Sequence, residues 1–103
     1  MAGWWKGRDP EVATQWAAYL FVKEWGRREG IDSKRLESMV LRGPDPRCIV
    51  ELAKAVPGVN LRRAAEEVAD RGDAVQIRRM MRVPGVDPRR LERTLVIAEV
   101  MGT

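Results

Sequence analysis

One short pattern occurs three times in this chain. Gly30, Gly58 and Gly85 anchor the segments EGIDSKRLE, PGVNLRRAA and PGVDPRRLE, at separations of 28 and 27 positions. In each copy the glycine is followed by Ile or Val, then Asp or Asn, one free position, a basic doublet, and a Leu or Ala. A period in this range marks a chain built from repeated supersecondary units, none of which can bury a hydrophobic face alone. Weaker turns at Arg42 Gly43 Pro44 Asp45 and at Arg71 Gly72 Asp73 fall about halfway along the units. Each unit therefore reads as two short helices, with the third expected to hold one helix up to Thr103.

Helix-start signals sit at the expected places. Asp9, Asp32, Asp45, Asn60, Asp73 and Asp87 each precede a stretch with helical apolar spacing. Such a side chain accepts a hydrogen bond from an otherwise orphaned first-turn amide. Pro10, Pro46 and Pro88 follow at the first helical position, where proline's missing N–H costs nothing. Ile49, Leu52, Ala53 and Val56, and likewise Leu61, Ala64, Ala65 and Val68, form stripes at i, i+3, i+4, i+7. Leu91, Leu95, Ala98 and Met101 predict a comparable stripe in the last helix; Leu36, Met39 and Val40, and Ile77, Met80 and Met81, mark shorter ones. Between Trp16 and Val22 the chain is apolar all round, which suits a helix buried on several sides or one that also faces a partner. No stretch alternates with period two. The expectation is an all-α fold of about six short helices, arranged as tandem helical hairpins in a single domain spanning 1–103. Residues 1–8 form a flexible or docked leading segment.

Composition narrows the function classes. A chain of 103 residues with 45% hydrophobic content is long enough for one core, and no apolar run reaches the eighteen or so residues of a membrane span. The opening Met1 Ala2 Gly3 Trp4 Trp5 lacks the basic start, apolar stretch and cleavage site of a signal peptide, so the expected address is cytoplasmic. With no histidine and the single cysteine Cys48, zinc clusters, disulfide frameworks and nucleophilic triads have no parts here. Cys48 reads as a small buried or half-buried side chain. Glu66 and Glu67, a candidate acid pair, diverge by about 100° on a helix. No enzyme activity, catalytic residue, metal, cofactor, small-molecule substrate or membrane partner is expected. Net charge is +4, and 15 of the 19 basic residues are arginine, a balance that permits polyanion binding. Few labile amides beside many ionic residues hints at a thermophilic source.

A turn reading hydrophobic, Pro, Gly, Val between two helices, with a basic residue four positions after the glycine and a small apolar one six after it, resembles the helix-hairpin-helix motif of nucleic-acid-binding proteins. The match is clearest at Val56 Pro57 Gly58 Val59 and at Val83 Pro84 Gly85 Val86. The resemblance implies that hairpin amides and the following helix start contact phosphates of DNA or RNA, largely without reading sequence. It places Lys34, Arg62 and Arg89 at the family's basic position, with Arg35, Arg63 and Arg90 beside them. Where the family usually has a second glycine, this chain has Asp32, Asn60 and Asp87. A carboxylate there repels a phosphate at close range, so the Gly58 and Asn60 hairpin is the best single site.

The same residues admit a plainer reading, because a glycine, a β-branched plug and an Asx cap serve any tight turn between antiparallel helices. What favours an anionic partner is register. Three basic doublets stand at helix starts, where the helix dipole prefers acids. Arg78, Arg79 and Arg82 supply a second candidate phosphate strip or a solvated face, and Arg27 and Arg28 admit the same two readings. The alternative function is a structural or assembly subunit, coat-like or part of a homo-oligomer or larger complex, that uses the tryptophan-rich start as its interface through Trp4, Trp5 and Trp16. Trp16 and Trp25 are expected in the core or at its edge. Trp4 and Trp5 pack on the body, on a neighbour, or on unpaired bases.

Overall fold

The computed structural model describes residues 9–101, and its elements are six helices: α1 (Pro10–Trp25), α2 (Ser33–Arg42), α3 (Pro46–Ala55), α4 (Leu61–Arg71), α5 (Ala74–Met81) and α6 (Arg89–Met101). No strand occurs among the described residues. The leading segment 1–8, including Trp4 and Trp5, and residues 102–103 lie outside them.

Every expected cap side chain accepts a hydrogen bond. Asp9, Asp32, Asp45, Asn60 and Asp73 accept from Glu11, Arg35, Arg47, Arg63 and Gln76 amides. Asp87 accepts from the Arg89 amide at 3.0 Å. Pro10 and Pro46 open their helices as expected, whereas Pro88 is part of the turn and α6 begins one residue later. There the Leu91 amide bonds to the Pro88 carbonyl, tightening the entry before regular α-helix starts.

The order of contacts defines the architecture. Each helix touches the next and the next but one, and no other pair of helices meets among the described residues. α1, α3 and α5 thus form one layer and α2, α4 and α6 the other, within extents of 42 × 33 × 17 Å. The ends of the array do not meet. Such a zigzag is quasi-one-dimensional, with a core running along the seam between layers. Val40, Cys48, Ile49, Val50, Leu52, Ala64, Val68, Ile77 and Met80 are completely buried along it. Burial pushes the Cys48 thiol up to about 12, as expected for a packing residue.

Two polar devices hold the edge carrying the short turns. Gln15 of α1, fully buried, donates from Nε2 to the carbonyls of Val40 (2.8 Å) and Asp45 (2.9 Å) and accepts the Asp45 amide on Oε1 (2.8 Å). Gly43 is required beside it, because a Cβ there would lie 2.2 Å from the Gln15 amide carbon. The Asp45 carboxylate accepts from Trp16 Nε1 (2.9 Å) and from Arg47 Nη2 (2.9 Å). Burial alone would raise its pKa, but hydrogen bonds from Arg47 and Trp16 outweigh burial and lower it.

Some expectations fail at the ends of the array. Met101 is 81% exposed instead of completing the α6 stripe, and Met39 is exposed on α2. α1 is not enclosed on several sides: Leu20 and Phe21 are exposed, as is Trp25, which lies under the Arg28 guanidinium at 4.0 Å. Trp16 does sit at the core edge, meeting Tyr19 edge-on. No helix among the described residues is long and apolar enough to cross a membrane.

Candidate nucleic-acid interface

Contacts sort the turns into two sets: the α1–α2, α3–α4 and α5–α6 turns approach one another, and the turn after α2 meets the end of α4 through Arg71 and the Gly43 carbonyl. The turns at Gly30, Gly58 and Gly85 join α1 to α2, α3 to α4 and α5 to α6, and they share one edge. Their adjacency is visible in two contacts. Lys34 Nζ, one residue into α2, donates to the Gly58 carbonyl at 3.3 Å. A Cβ on Gly85 would come within 2.7 Å of the Leu61 side chain at the start of α4. All three glycines have left-handed φ, of 86°, 82° and 92°, which other residues adopt only with strain.

This common geometry brings the basic doublets together. Lys34 and Arg35, Arg62 and Arg63, and Arg89 and Arg90 all fall in the first three residues of α2, α4 and α6. Arg35 and Arg89 are exposed and make no ion pair among the described residues. The others are loosely tethered: Lys34 to Glu37 (3.3 Å), Arg62 to Glu66 (3.5 Å), Arg63 to Glu67 (3.9 Å), and Arg90 to Asp87 (3.9 Å). The Arg62–Glu66 and Arg90–Asp87 pairs are exposed at both ends, worth little and able to exchange partners, whereas Lys34 pairs with a buried Glu37 and the Arg63–Glu67 pair is half-buried. The cap side chains Asp32 and Asn60 take the amides of Arg35 and Arg63, so an anion at these helix starts would rely on guanidinium and ammonium groups as much as on backbone donors.

The second cluster divides. Arg78 pairs with Glu99 of α6. Arg79 pairs with Glu51 of α3 at 2.7 Å and with Gln76 at 3.0 Å. Both therefore tie α5 to its neighbours, while Arg82 is exposed with no ion pair among the described residues. Lys54, which the pattern following each glycine did not flag, joins Arg79 and Arg82 around a cleft of about 220 Å³ with Val83 and Pro84. Its signal lay before the glycine: Arg27 and Arg82 stand three residues ahead of Gly30 and Gly85, and Lys54 four ahead of Gly58. A second cleft of about 360 Å³ between the first two hairpins contains Lys23, Arg27 and Lys34.

Charge is unevenly divided between the three hairpin segments and the rest of the described chain. The windows running from six residues before to five after Gly30, Gly58 and Gly85 hold 11 basic and 4 acidic side chains; the other 57 described residues hold 6 basic and 11 acidic. The window at Gly58 contains no acid at all. Comparison with protein-family models, curated proteins and solved structures returned no match.

Proposed function

We propose that this protein binds the phosphate backbone of DNA or RNA along the edge formed by its three glycine hairpins, carrying out no chemistry and reading no base sequence. The observation that carries this reading is the charge partition: a chain of net charge only +4 concentrates its basic residues along one edge and its acids elsewhere. Such a stripe attracts a polyanion, and contacts confined to phosphates position it without specifying sequence. Lys34, Arg35, Arg62, Arg63, Arg89 and Arg90 form the track, with Arg82 and Lys54 filling the interval between the second and third hairpins. The likeness of these turns to helix-hairpin-helix hairpins supports the same reading. Gly58 and Gly85 supply the left-handed backbone of the hairpins, and Asn60 offers a neutral cap at the centre of the strip. The test is titration of a labelled, arbitrary-sequence nucleic acid over a range of salt with the unmodified protein and with Arg62 and Arg63 reversed to Glu.

A further inference from the structure

The repeat makes the two ends of the array comparable with its interior. Nine and five residues before the hairpin glycine, α3 carries Ile49 and Ala53 and α5 carries Gln76 and Met80, all four buried. The same places in α1 are Phe21 and Trp25, which are 45% and 41% exposed. At the other end, the residues seven, ten and eleven after the glycine are Glu37, Val40 and Leu41 in α2, all buried, and Ala65, Val68 and Ala69 in α4, buried or half-buried. In α6 they are Glu92, Leu95 and Val96; Leu95 is half-buried, Glu92 is exposed and Val96 is 60% exposed. The large apolar side chains left exposed fall on α1, α2, α5 and α6, and none on the interior helices α3 and α4.

The fold itself says what covers such positions. Inside the array a helix of the even layer packs on the next helix of the odd layer, α2 on α3 and α4 on α5. Among the described residues, α6 is an even-layer helix with no odd-layer helix after it, and α1 is an odd-layer helix with no even-layer helix before it. We infer that a second copy of this chain continues the array head to tail, with α6 of one copy packing on α1 of the next. The junction repeats the α2–α3 and α4–α5 contacts already present within each copy, and it buries Val96 against the face of Phe21 and Trp25. The two contributing surfaces differ, so the contact is heterologous, and a pair of copies still presents one free head and one free tail to which further copies can add. The inference does not depend on nucleic-acid binding and is tested without it.

Sedimentation velocity of the chain across the micromolar range is the experiment, with Phe21→Lys blocking the head and Val96→Lys blocking the tail. Both positions are exposed, so both variants retain the helical circular-dichroism spectrum. The unmodified chain gains mass with concentration, and each variant alone stays monomeric. An equimolar mixture of the two forms a dimer and nothing larger, because one intact head then meets one intact tail. A monomer at every concentration for the unmodified chain, assembly that survives either substitution, or a mixture that stays monomeric overturns the proposal.

Discussion

Arg71 of α4 donates from Nε to the carbonyl oxygen of Gly43 at 2.9 Å, joining the short turn that follows α2 to the end of α4. The same guanidinium reaches the Leu41 carbonyl from Nη2 at 3.0 Å and pairs with Glu67 at 3.1 Å. It is the counterpart, on the opposite edge, of Lys34 on the Gly58 carbonyl. Together they fix how one repeat sits on the next.

Replacing Arg71 by Ala leaves the part-buried carbonyls of Leu41 and Gly43 without this donor, which costs about 1–3 kcal/mol. Urea unfolding followed by circular dichroism measures this. Arg42→Ala, one residue before Gly43 but exposed and without an ion pair among the described residues, changes stability by no more than about 0.5 kcal/mol.

Asp45 gives the stability a pH signature. Its pKa is lowered in the folded protein, while an unfolded aspartate titrates near about 3.9. The stabilisation is therefore complete above that value and disappears as the pH falls through the lower native one. Asp45→Asn weakens the protein by about 1–3 kcal/mol at neutral pH through lost charge-assisted hydrogen bonds. It also flattens the acid limb of the stability profile, read from urea midpoints between neutral and acidic pH. An unchanged acid limb in the variant would assign that limb to other carboxylates.

How much of this was readable in advance follows the range of each interaction. The caps are local, each linking a side chain to an amide two or three residues on, so Asp9 through Asp87 could all be placed from sequence. The repeat also carried the positions of the hairpins, because the left-handed glycines and their plugs recur in register. Gln15 and Arg71 were opaque. Each acts across 25 to 30 residues, and nothing local separates a buried amide or guanidinium from a solvated one. The apolar run in α1 and Met101 misled for a related reason: periodicity shows that a face is apolar but not whether a neighbour exists to cover it. The basic doublets were legible individually, whereas their alignment on one edge required the order in which the helices stack.

The hairpin caps tune the proposed interface. Asp87→Asn keeps a competent cap but removes a carboxylate from the strip, so nucleic-acid affinity rises about two- to fivefold. Asn60→Asp moves it by a similar factor in the other direction. Fluorescence anisotropy at fixed low salt reads both changes. If the two substitutions shift affinity in the same direction, local charge at the hairpins is not what governs binding.

Whether the hairpin edge holds phosphates is decided by the salt dependence of binding to a labelled, arbitrary-sequence duplex, with a single-stranded competitor alongside. The expected result is a log K that falls linearly with log salt at a slope equivalent to roughly three to six phosphates. Reversing Arg62 and Arg63 to Glu weakens binding to all sequences alike and lowers the slope by about two, whereas Arg42→Glu on the opposite edge leaves both nearly unchanged. Absence of binding at low salt, or an Arg62 and Arg63 double variant with unaltered affinity and slope, would contradict it and reduce the three hairpins to capped turns.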